Sequence, residues 1–76
     1  MFGFGKSKAA KELDEILKSL QLAFENNYKD NARANLKKFE SAFDEAKATG
    51  KLRPKEAEVY GATLAELKER LKNFKH

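Results

Sequence analysis

Seventy-six residues with a formal net charge of +4 allow one domain with a thin core, since a chain near this size buries only about 60% of its unfolded surface. The absence of cysteine removes disulfides, zinc–thiolate sites and thiol catalysis together. No apolar run approaches the roughly 18 residues of a membrane span or forms the apolar block of a secretory signal, so the expectation is a cytoplasmic protein of one domain, 1–76, with no deep substrate cleft.

One proline, four glycines and 37% charged residues, amid abundant Ala, Leu, Lys and Glu, describe a helical chain, because these side chains lose little rotamer freedom in a helix. Six phenylalanines and nine leucines supply enough apolar surface to offset the ordering entropy. The chain is expected to fold.

Residues 1–7, MFGFGKS, read as a glycine-bearing lead-in. Within it Gly5-Lys6-Ser7 looks like the end of a phosphate-binding loop, G-x-x-x-x-G-K-[ST]. Counted back from Gly5, the first glycine of that motif falls one place before Met1, so the match is incomplete. Ser7 is better placed as an N-cap, its hydroxyl accepting from the free N–H groups of a helix that starts at Lys8.

Three segments then carry the helical period. Helix 1, over 8–27, places Leu13, Leu17, Leu20 and Phe24 at steps of 4, 3 and 4, with Ile16 and Ala23 widening the stripe. Helix 2, over 30–49, places Ala32, Leu36, Phe39, Phe43 and Ala46 on one face. Asn26, Asn27 and Asp30 separate the two, being poor helix formers that suit caps and turns. Gly50 stands where a left-handed residue closes a helix, and Pro54 suits the first turn of helix 3, over 54–74. There Ala57, Tyr60, Leu64, Leu67, Leu71 and Phe74 continue the same alternation, with Leu52 placed to fold back over Ala57.

This spacing is an a/d seam and predicts an all-α, three-helix, up-down-up antiparallel bundle with left-handed coiled-coil-like packing. The expected core is Leu17, Leu20, Phe24, Phe39, Phe43, Leu64, Leu67 and Leu71. LKSLQLAFE in helix 1 echoes LKKFESAFD in helix 2, a likeness that shared heptad demands explain without duplication.

The inventory for catalysis is nearly empty. The only histidine, His76, is terminal, where fraying spoils the positioning that acid–base work needs, and no serine or threonine has a base to activate it. Neighbouring acids such as Asp14-Glu15 and Asp44-Glu45 diverge on a helix and leave no ligand set for a metal. No enzyme, cofactor, metal or small-molecule substrate is expected.

Charge and stray apolar residues point to binding instead. Residues 1–11 hold Lys6, Lys8 and Lys11 without an acid, and residues 47–55 hold Lys47, Lys51, Arg53 and Lys55 without an acid, so these segments carry +7 and the remainder is net −3. An up-down-up bundle gathers them at one pole, a candidate surface for nucleic acid or acidic lipid. Phe2 and Phe4, ahead of these lysines, could add weak membrane contact or fold back onto the bundle. Leu22 projects away from its own stripe and Val59 lies off the third seam, so contiguity of Ile16, Leu22 and Val59 would make a partner or dimer surface. The leading expectation is a non-catalytic module that binds another protein or itself. The rival is a weak anionic-surface binder acting through the basic pole.

Overall fold

A computed structural model describes residues 6–74. It is an all-α bundle of three helices, α1 (Lys8–Glu25), α2 (Lys29–Ala48) and α3 (Pro54–Lys72). The expected starts agree to within one residue, and the helices end two, one and two residues earlier than periodicity implies. Cap geometry explains the earlier ends. Asn27 and Gly50 take positive φ, 58° and 70°, immediately after the first two helices. At each, the chain closes with the paired bonds of a Schellman motif: Tyr28 N–H to the Ala23 carbonyl at 2.8 Å and Asn27 N–H to Phe24 at 3.2 Å, then Lys51 N–H to Ala46 at 2.9 Å and Gly50 N–H to Lys47 at 3.3 Å.

The helix starts use different devices. Ser7 caps α1, its Oγ accepting the Ala10 N–H at 3.1 Å. At α3 the Glu56 carboxylate reaches back to the Arg53 N–H at 2.9 Å, with Pro54 in the first turn. α2 begins after Tyr28 without a side-chain cap, and Asp30 lies in its first turn, where a negative charge suits the helix dipole.

α2 is the central element. The backbones of α1 and α3 each run close to it, and approach one another little. The core is a continuous cluster that includes Leu13, Leu20 and Phe24 of α1, Leu36, Phe39 and Phe43 of α2, and Tyr60, Leu64 and Leu67 of α3. Phe39, Leu13 and Leu20 are the largest fully enclosed side chains. Of the expected core, Leu17 and Leu71 are only half-buried, since Leu17 borders the space between α1 and α3 and Leu71 lies one residue before the end of α3. Ala10, fully buried, extends the α1 stripe a turn earlier than Leu13. Its small side chain lets the start of α1 pack closely.

α1 and α3 meet through side chains at both ends. At one end Tyr60 donates its hydroxyl to Asp14 at 2.6 Å, and at the other Phe24 and Phe74 pack edge to face with centroids 5.3 Å apart. Around the first of these contacts the two helices leave a groove. None of the described residues belongs to a helix long and apolar enough to cross a membrane.

Candidate functional site

The groove has a volume of about 470 Å³ and lies between the first half of α1 and the first half of α3. Leu17, Val59, Tyr60 and Thr63 form its apolar floor and wall, while Lys6, Asp14, Lys55 and Glu56 border it. Helix periodicity explains the lining. Leu17 sits on the α3-facing edge of the α1 stripe, whereas Val59 and Thr63 are one turn apart on α3 and lie to the same side of the seam residue Tyr60. Val59 is 52% exposed, far more than its apolar neighbours on the seam.

Two carboxylates organise the polar end. Asp14 accepts from the Lys6 ammonium on one oxygen and from the Tyr60 hydroxyl on the other. Burial pushes the Asp14 carboxyl up, but the Lys6 and Tyr60 hydrogen bonds together outweigh it and hold the group below its ordinary range. Tyr60 is pushed up, first by burial and then by its bond to Asp14, and Lys6 is raised chiefly by the same carboxylate. Glu56 accepts three donors, Ser7 N–H at 3.0 Å, Ser7 Oγ–H at 2.8 Å and Arg53 N–H at 2.9 Å. Burial acts to raise its carboxyl, and the backbone and hydroxyl donors overcome that and leave it lowered. Both acids are therefore filled by donors from this chain. Lys55 is the exception on the rim, with no ion pair among the described residues.

The same bonds bear on the phosphate-loop motif. Ser7 donates its N–H and its hydroxyl to Glu56, and Lys6 is paired with Asp14, so the groups a phosphate would need are already occupied.

The basic segments do come to one end of the bundle. Ser7 touches Glu56 at the start of α3, and a shallow depression between α1 and α2 is bordered by Ala9, Ala46 and Lys51. Lys8, Lys11, Lys47, Lys51, Arg53 and Lys55 are exposed there. Lys47 lies 5.7 Å from the centroid of the Phe43 ring, and Lys6 is turned towards Asp14. Glu12 and Glu45 border the same depression, so folding interleaves acids with cations that the linear count keeps apart.

Ile16, Leu22 and Val59 go to different places. Ile16 is half-buried against the core, Val59 borders the α1–α3 groove, and Leu22 borders a separate depression beside the α1–α2 turn. Tyr28, 58% exposed like Leu22, lies in that second depression with Asn26, Asn31 and Asn35. Phe2 and Phe4 lie outside the described residues.

Periodicity gives no hint of Asp14, Glu56 or Tyr28. Asp14 and Glu56 matter through partners 46 and 49 residues away in the chain, and Tyr28 falls in a turn. Tyr60 carried the one usable signal, because a tyrosine on a buried seam needs a partner for its hydroxyl. Among the described residues no group of three His, Cys, Asp or Glu side chains could hold a metal ion. No protein-family model, curated protein or solved structure significantly matches the chain.

Proposed function

We propose that this chain is a non-catalytic interaction module that takes an apolar segment of another protein, or of a second copy, into the groove between α1 and α3. The supporting observation is the groove itself, where Leu17, Val59 and Tyr60 present apolar surface beside Lys55, a cation with no ion pair among the described residues. Recognition of this kind needs one or two apolar anchors in the groove and polar contacts at its rim.

The test is affinity capture from the source cell at low and moderate salt, with the wild-type chain beside Val59→Asp. Val59 is half exposed, so the substitution leaves the fold within about 0.5 kcal/mol of wild type while placing a charge in the groove. A partner held by the groove survives moderate salt and is lost with Val59→Asp. Equal capture by both chains refutes the assignment to this groove.

The second reading, weak binding of acidic lipid or nucleic acid at the basic pole, draws on the exposure of Lys8, Lys11, Lys51 and Arg53 at one end. Binding of that kind falls steeply as salt rises, and changing Lys51, Arg53 and Lys55 to Ala lowers the salt slope by roughly one unit for each phosphate contact removed. Co-sedimentation with anionic vesicles and a gel-shift assay on mixed DNA and RNA separate it from the first reading. Silence in both assays removes it.

A further inference from the structure

We infer that the α1–α3 groove is a docking site for this chain's own first five residues, with Phe2 and Phe4 as the two anchors. An external partner would then have to displace them. That last consequence rests on the interaction-module reading, whereas the docking itself does not.

Chain continuity chooses the occupant. Lys6 borders the groove and is held there by Asp14, so residues 1–5 leave from the rim and not from a distant point. Five residues reach at most about 17 Å when extended. The stretch of α3 that forms one wall, Lys55 to Thr63, is about 12 Å long at the rise of an α-helix. The segment is thus long enough to run along the groove and falls short of Leu22 in the depression beside the α1–α2 turn, which lies about 21 Å along α1 from Lys8.

Spacing and chemistry agree with that choice. In an extended segment Phe2 and Phe4 point to the same side about 6–7 Å apart, because successive side chains alternate. Val59 and Thr63, one helical turn apart, repeat at about 6 Å along the groove wall. Gly3, between the two rings, adds no side chain on the opposite face, and Gly5 allows the turn at the rim. The floor offers Leu17 and Tyr60 to the rings. Ordering five residues opposes much of what two buried rings contribute, so the occupant is readily displaced. Tethering compensates, since the effective concentration of a segment on a short linker is in the millimolar range.

The experiment compares the full chain with its Phe2→Ala/Phe4→Ala variant by methyl and amide NMR. Both substitutions lie ahead of α1 in the chain, so the three helices provide a common background. With the rings docked, the Val59 and Leu17 methyl signals of the wild type are displaced upfield by ring currents, and that displacement is lost in the variant. Adding a free MFGFGK peptide to the variant restores it with saturation, while MAGAGK does not. Coincident Val59 and Leu17 methyl signals in wild type and variant overturn the inference, as does a difference confined to Leu22 and Tyr28. Docking seen by NMR with no partner captured sinks the interaction-module reading alone, and capture blocked by Val59→Asp without docking sinks this inference alone.

Discussion

The same substitution, glycine to alanine, should have opposite effects at Gly61 and Gly50. Gly61 lies inside α3, and a Cβ built on it meets only the Phe43 ring edge, at 3.4 Å, which is ordinary contact distance. Alanine there gains the helix-propensity difference, about 1 kcal/mol, plus about 0.1–0.2 kcal/mol for each new carbon contact. Gly50 has φ of 70° and open space around the missing side chain, so its difficulty is backbone conformation alone. A left-handed alanine costs about 1–2 kcal/mol, offset by about 0.4–1 kcal/mol from the lower entropy of the unfolded chain. Gly61→Ala is therefore expected to be about 1 kcal/mol more stable than wild type and Gly50→Ala about 1 kcal/mol less stable. For a domain of this size each corresponds to about 4–8 °C in Tm. Urea titrations followed by circular dichroism give both values, provided the m-value is unchanged. If Gly61→Ala loses more than about 1 kcal/mol, α3 sits closer to Phe43 than the 3.4 Å approach implies, and the reasoning fails.

Phe43→Ala should cost about 3–5 kcal/mol in the same assay, since the ring is buried, whereas a loss below about 1 kcal/mol would remove it from the core. Acid should weaken the α1–α3 contact: Asp14 and Glu56 are both held below their ordinary values of 3.8 and 4.5, so their contribution is complete above those values and is lost as pH falls through the depressed ones. Urea midpoints measured between pH 7 and pH 2 should show Glu56→Gln less stable at neutral pH and less sensitive to acid, and parallel profiles for the two proteins would contradict this. Titration with magnesium ATP should give no saturable amide shifts at Lys6 or Ser7, whose donors already bind Asp14 and Glu56, and saturation there would reinstate the phosphate loop.

Elements were more legible than the site, for a physical reason. Periodicity is a property of neighbours three and four residues apart, so the seams through Leu20, Phe39 and Leu64 announce their helices, and Ser7, Gly50 and Pro54 mark ends through local backbone chemistry. A groove depends on how far apart two helices stand. Leu17 and Val59 border one because α1 and α3 both lean on α2 instead of on each other, a fact that no single stripe encodes. The basic pole shows the complementary case. Counting charges along segments leaves out Glu12 and Glu45, which stand just outside them and border one depression with Lys51 where α1 lies against α2.

The Glu56 carboxylate ties the start of α1 to the start of α3, since it holds Ser7 and Arg53 at once. The first turn of α1 therefore cannot fray independently, as the end of a helix usually does, because releasing Ser7 also unsettles the α3 cap. Amide exchange at Ala10 and at Arg53, 43 positions apart in the chain, should then report one shared opening event with one free energy. The starts of the first and third helices become a single cooperative unit, and α2 lies within the loop that it closes.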